Sequence, residues 1–513
     1  MTFPPRLTPK DDMAHQEATD VKNDYNPWPA LWALVLGFFM ILVDSTIVSV
    51  ATPVIRENLN TTYNAVLWVT SAYLLAYAVP LLITCRLGDR FGPKNLYLGG
   101  LTLFTLASLW CGLTGTVEML IVARIFQGLG ASMMTPQTMA VITRTFPASN
   151  RGQAMALWGA AAGVATLVGP ILGGILIDTA GWQWIFFINV PIGILAFYLC
   201  WKLVPSLTTH SHSFDLVGVA LSAIAMFCIV FGIQEGEKYD WGQMTGIISV
   251  PALIAFGLIV LAVFIYWQSR IKTEPLVPLS MFKDRNFSLA NVAISTVGFA
   301  ITAMAFPFFL YAQEVRGLSA TKGALFLVPM AVLSGALAPW VGKMVDRIHP
   351  RTITTFGLAT CSASMFWLSH EMTPDSKAWQ ILLPMALLGV ANAFMWAPLG
   401  ATATRNLPLA QAGAGAGIYN TTRQVGAVLG SAGVAALIQA RLTANLPGLN
   451  TSGGAGGRTG QKLPPAIIDQ FSTAMAQSVL LPAVVLLIGL IAALAFARPD
   501  HVAARGAAKV AAE

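Results

Sequence analysis

Apolar residues in this chain come in runs of about 18 or more, long enough to cross a bilayer as helices. Fourteen such runs are centred near Phe39, Tyr77, Thr105, Ala131, Val164, Ile194, Ala225, Ala255, Gly298, Val332, Leu358, Val390, Val428 and Leu486. Polar residues gather in the gaps between them. The long gap at about 441–470 is Gly-rich, with Asp469 as its sole acid. Residues 1–29 are too charged for the apolar core of a signal peptide and read as a tail ahead of an uncleaved first span. The pattern predicts an all-α integral membrane protein of fourteen transmembrane helices.

Composition sharpens this. Of 513 residues, 56% are hydrophobic and 10% charged, against roughly a quarter charged in an ordinary soluble domain. Too little polar surface remains for a soluble enzyme, a nucleic-acid-binding domain, a disordered chain or a single-anchor receptor. The five cysteines lie in or beside apolar runs without redox or metal-knuckle spacing, so no metal and no cofactor is expected. The net charge of +7 records topology rather than an anionic partner. With the N-terminus inside, cytoplasmic segments hold twenty of the thirty Lys and Arg, external loops hold eight, and Arg124 and Arg423 lie within spans. Both termini are therefore expected in the cytoplasm.

The chain repeats itself. Arg86-Leu87-Gly88-Asp89-Arg90-Phe91-Gly92-Pro93-Lys94 after span two matches Lys343-Met344-Val345-Asp346-Arg347-Ile348-His349-Pro350-Arg351 after span ten, at an offset of 257. Thr143, Arg144, Pro147 and Gly152 match Thr404, Arg405, Pro408 and Gly413 at an offset of 261. Spans one to six and nine to fourteen thus read as two copies of a six-helix bundle, at 30–205 and 271–497. An inserted two-helix hairpin lies at 206–270, and a second tail at 498–513. Parallel repeats of six spans are the architecture of alternating-access carriers, whose site lies between the copies at mid-depth.

These residues resemble the major facilitator superfamily, in particular the fourteen-span drug:proton antiporters of the EmrB/QacA type. Cys85 to Lys94 is similar to that family's G-R-L-G-D-R-x-G-R-K loop, departing at Cys85 and Pro93. Arg124, Gln127, Gly128 and Gly130 match R-x-x-Q-G-x-G, and Gly163, Gly169, Pro170, Gly173 and Gly174 match the antiporter signature of span five. Asp44 to Val48 and the Trp182–Gly193 segment, with Asn189 and Pro191, add to the likeness. The resemblance implies a role for Arg124 in proton coupling. It also implies a cytoplasmic latch at Asp89, Arg90 and Lys94, repeated imperfectly at Asp346 and Arg347.

Physical chemistry marks the same positions. Asp44 lies near the middle of span one, where a carboxylate is costly unless paired, hydrated or protonated. It reads as a group whose protonation competes with substrate, or as a structural carboxylate satisfied by Ser45, Thr46 or backbone. Arg124 and Gln127 share a face of span four, where a guanidinium would stabilise that carboxylate or bond span-end carbonyls. Arg423 in span thirteen, beside Gln424, binds polar or anionic substrate groups or caps a helix end. Gly163, Gly169, Pro170, Gly173 and Gly174 let span five flex, or pack it closely. Phe38, Tyr73, Tyr77, Met133, Met134, Trp158, Phe306, Tyr311, Phe394, Met395 and Trp396 are candidates for an apolar cavity wall.

The leading expectation is a proton-coupled antiporter that exports amphipathic, cationic or neutral drugs or dyes across the cytoplasmic membrane. Its partners are small substrates, protons and lipid; it acts as a monomer without nucleic acid. Export of an endogenous metabolite or lipid is the alternative within transport, and a membrane-embedded transferase the alternative outside it. An ATP-driven pump is excluded by the lack of a G-x-x-x-x-G-K-[ST] loop.

Overall fold

A computed structural model describes residues 26–497 apart from 147, 208, 210–214, 246–247, 272–274, 346–347, 405–406, 408 and 446–464. Its helices are α1 (Trp28–Asn58), α2 (Tyr63–Ala78), α3 (Leu81–Phe91), α4 (Pro93–Leu113), α5 (Val117–Thr145) and α6 (Ala148–Ala180). Then come α7 (Trp184–Phe187), α8 (Asn189–Leu203), α9 (Leu216–Glu235), α10 (Val250–Arg270) and α11 (Arg285–Leu310), which runs into a π-helical turn, Tyr311–Val315. α12 (Ala320–Leu325), α13 (Val328–Val345), α14 (Pro350–Glu371), α15 (Ala378–Thr404), α16 (Leu409–Asn445) and α17 (Pro465–Leu494) complete the chain. A two-stranded antiparallel ribbon, β1 (Gln243–Thr245) with β2 (Ile248–Ser249), joins α9 to α10.

Each of the fourteen predicted centres lies on a helix. Among the described residues, eleven helices are long and apolar enough to cross a membrane. The remaining centres are Tyr77, Val164 and Leu358. At Tyr77 the run is broken by Val79 and Pro80 into α2 and α3, and the helix at Leu358 is rich in Thr and Ser. At Val164 the apolar stretch is the shorter Val168–Ala180. Large apolar side chains such as Leu113, Ile194, Trp201, Ile259, Tyr266 and Ile491 point outward, as a lipid-facing surface requires. This is a multi-pass membrane protein.

The early helices pack on one another, α4 with α5, α1 with α6 and α2 with α5, and the late ones do likewise, α11 with α16 and α17, and α14 with α15. The repeated loops occupy matching places, with Pro93 and Pro350 each opening a helix. Gly92 adopts φ +86°, a left-handed conformation open to glycine. His349 instead keeps an ordinary φ and caps α14 by accepting from the Arg351 amide. That explains how the second copy dispenses with the glycine.

The hairpin of α9 and α10 is anchored. Glu235 at the end of α9 accepts from Asn64 Nδ2 (2.7 Å) and Trp68 Nε1 (2.5 Å) of α2, and pairs with Lys238 at 3.2 Å. The hairpin's other end is tied by Asp215, which caps α9 and accepts from Trp267 and Gln268 of α10. α9 also packs against α16, so the hairpin touches early and late helices alike.

Candidate functional site

Asp44 is fully buried, and its neighbours on α1 leave it alone. Ser45 and Thr46 donate back to carbonyls of their own helix, those of Leu42 and Val43. The partners come from elsewhere. Arg124 Nη1 of α5 donates to Asp44 Oδ2 at 2.5 Å, Gln127 Nε2 to Oδ1 at 2.8 Å, and Asn189 Nδ2 of α8 to Oδ1 at 2.9 Å. Arg124 Nη1 also donates to Gln127 Oε1 (2.6 Å) and its Nε to the Val69 carbonyl (3.2 Å), and the guanidinium lies 3.9 Å over the Tyr73 ring. Asn189 donates in addition to Ser108, which passes the chain on to the Phe186 carbonyl.

The spacing of R-x-x-Q-G-x-G produces this geometry. Arg124 and Gln127, three apart, project together from α5. A side chain at Gly128 would strike the Tyr73 carbonyl of α2, and one at Gly130 the backbone of α4 at Gly100 and Phe104. The motif therefore packs α2 and α4 closely on α5 while α5 presents Arg124 and Gln127 to Asp44 of α1.

On the opposite face of α1, Ser45, Thr46 and Ser49 line a cavity of about 130 Å³ between early and late helices, the scale that accepts one aromatic ring. Thr70 and Tyr77 of α2, Pro170 of α6, Asn392 and Trp396 of α15, and Arg423 and Gln424 of α16 share its wall. Asp44, Arg124 and Gln127 are not part of it.

The sequence profile of the Major Facilitator Superfamily matches residues 34–431. The chain belongs to the Major Facilitator Superfamily. It is 51% identical over 472 residues, 91% of this chain and 81% of the relative, to an uncharacterized MFS-type transporter of Mycobacterium tuberculosis. It is 32% identical to the tetracenomycin C resistance and export protein of Streptomyces glaucescens, over 84% of this chain and 79% of that one. To the multidrug export protein EmrB of Escherichia coli K12 it is 30% identical over 78% of each chain. A solved bacterial homolog of the human lysosomal transporter Spinster shares the fold, with a TM-score of 0.62 at 14% identity, covering 91% of this chain and 96% of that one. The family is one of transporters, which are not enzymes.

This facilitator places its remaining predicted residues as follows. Gly169 and Gly173 of α6 press on Val43, Thr46 and Ile47 of α1, and Gly174 presses on the backbone of Ala320 and Thr321. Gly163 lies on the same helix, with its surroundings outside the described residues. Lys94 donates to the Trp201 carbonyl (2.7 Å), a neighbour among the early helices, and Arg90 lies 5.6 Å over the Phe91 ring. Asp346, Arg347 and the side chain of Asp89 lie outside the described residues. Of the eleven aromatic and Met candidates, Tyr77, Phe306 and Trp396 reach the cavity. Tyr73 covers Arg124 instead, Phe38 stacks on Trp158, and Phe394 packs on Trp340 and Phe356.

Sequence reasoning missed the roles of Asn189 and Ser108, although a polar residue inside an apolar span was a signal. It also missed the ties that bind early to late helices at the end of the bundle where α1 finishes. There Arg56 pairs with Glu314 at 2.9 Å, Tyr63 donates to the same carboxylate at 3.3 Å, and Gln313 donates to the Val50 carbonyl. Asp178 accepts from the Thr321 amide beside them.

Proposed function

We infer that this chain is a proton-driven exporter of small amphipathic molecules, working as a monomer by alternating access in the cytoplasmic membrane. Residues 30–205 and 271–497 are its two halves, 206–270 an inserted hairpin, and both tails are cytoplasmic. No cofactor takes part; the proton gradient is the energy source. One observation carries the reading: α1 holds a triply hydrogen-bonded carboxylate on one face and lines the cavity between the halves with the other. The export proteins among its relatives support the direction of transport.

A proton arriving at Asp44 removes the charge that holds Arg124 and weakens the tie between α1 and α5. The same turns of α1 carry Ser45, Thr46 and Ser49, so loosening the pair shifts the cavity wall. Direct competition for one carboxylate is thereby replaced by coupling through a helix, because Asp44 and the cavity occupy different sides of α1. The Arg56–Glu314 and Asp178–Thr321 contacts close the external end in this conformation and must part in the other.

Everted membrane vesicles containing the full chain test this. Energised vesicles should accumulate an aromatic dye, and a protonophore should abolish the accumulation. Accumulation indifferent to the protonophore would sink proton coupling, and an externally placed C-terminal tag would sink the even span count.

A further inference from the structure

We propose that the cavity selects cargo carrying a single negative group, such as a carboxylate on an apolar ring system, and that Arg423 is the residue that seats it. This rests on the reading that cargo occupies the cavity; it selects the anion-binding role among those the sequence allowed Arg423, and it reverses the expectation of cationic or neutral cargo. That expectation took Asp44 to be the charge cargo would meet. Asp44 lies behind α1, already engaged by three donors.

The charge that does face the cavity is positive. Among the described residues lining it there is no Asp or Glu, and Arg423 is the charged side chain. Arg423 is half-buried and has no hydrogen bond or ion pair to a described residue, whereas Arg124 bonds through Nη1 and Nε, with its Nη2 left without a partner among the described residues. A guanidinium inside a membrane protein calls for a counter-charge, and its planar fork matches a carboxylate through two parallel N–H bonds.

The surroundings hold further groups able to donate. Gln424 and Asn392 are buried on the same wall, and their amides make no hydrogen bond to a described residue. The Thr70 hydroxyl, also on the wall and 3% exposed as a residue, is buried with no partner among the described residues. By contrast, Ser45, Thr46 and Ser49 already donate to their own helix. A cationic cargo would meet a like charge at low dielectric, where repulsion is strong. The position of Arg423 is fixed from behind: a side chain at Gly298 of α11 would collide with the Arg423 carbonyl, so the two backbones are in contact there.

Three probes share one benzene ring, the size the cavity accepts, and differ in charge: benzoate, benzamide and benzylammonium. Calorimetric binding at pH 7 to the full chain in lipid nanodiscs should rank benzoate tightest, about tenfold or more above the others, as a charged hydrogen-bonded pair implies. Arg423→Gln should bring benzoate down to the benzamide level, and Arg423→Lys should keep part of the preference. Benzamide affinity should be the same in all three proteins, which controls for a collapsed cavity. Equal ranking, tighter ammonium binding, no binding of benzoate, or an unchanged benzoate affinity in Arg423→Gln overturns the proposal. Flux in proteoliposomes under a pH gradient separates the two readings. Proton-driven flux without charge preference removes the role of Arg423 and leaves the exporter. Anion-selective binding without proton-driven flux does the reverse.

Discussion

The two copies of the repeat handle a guanidinium inside the membrane in opposite ways. In the first, Arg124 is fully buried, paired to Asp44, bonded to a carbonyl and covered by Tyr73. In the second, Arg423 stands at a cavity wall with no hydrogen-bond partner among the described residues. The repeat offsets lead from Asp44 to Ile301 and from Arg124 to Met385, so the second copy carries neither member of the pair. Both copies keep close helix contacts, Gly169 and Gly173 against α1 in one, Gly426 and Gly430 against Ser295 and Phe299 of α11 in the other. Shared packing with unshared charge separates the scaffold from its two tasks. One copy guards an internal ion pair; the other offers a donor to whatever enters.

The comparison breaks most easily at Asp44. Asp44→Asn leaves Arg124 buried without a counter-charge, a loss of about 3–5 kcal/mol in comparable sites. It should lower the thermal unfolding midpoint sharply and abolish proton-driven efflux; efflux that survives in everted vesicles refutes the assignment. Arg124→Lys keeps the charge but cannot reach Asp44, Gln127 and the Val69 carbonyl together, at a cost of about 1–3 kcal/mol. Near-normal transport by that variant would reduce Arg124 to a point charge. Asn189→Ala removes one of three donors to Asp44 and should cost about 1 kcal/mol, with a displaced pH profile of efflux; a profile identical to wild type would make Asn189 mere packing. Arg56→Gln, at the part-exposed tie to Glu314, should cost less than about 1 kcal/mol. Its signature is a changed balance of conformations, read by accessibility of a cysteine placed in the cavity. Smallest is Arg423→Gln, expected to leave the unfolding midpoint within about 0.5 kcal/mol of wild type, since no bond to a described residue is lost. A large drop there would mean that the two guanidinium groups are alike after all.

Much of this was legible beforehand. Long apolar runs located the helices, and the cost of charge in a membrane singled out Asp44, Arg124 and Arg423. Which way each residue faces was not legible. Helices apolar all round face lipid and neighbour alike, since lipid offers no contrast to an apolar partner. Tyr73 and Tyr77 lie one turn apart, yet one roofs an ion pair and the other lines the cavity. The side of α1 that Asp44 takes was hidden for the same reason, and with it the separation of the carboxylate from the cavity. Glu314 escaped notice because its partner Arg56 is 258 residues away.

A cavity wall with a positive charge and no acid also bears on voltage. If cargo leaves as an anion while one proton enters, two charges move in the direction favoured by an interior-negative potential. Each is worth about 2.3 kcal/mol per 100 mV. Such an exchanger would run on the electrical gradient even when the two sides share one pH, and its turnover would register as a current.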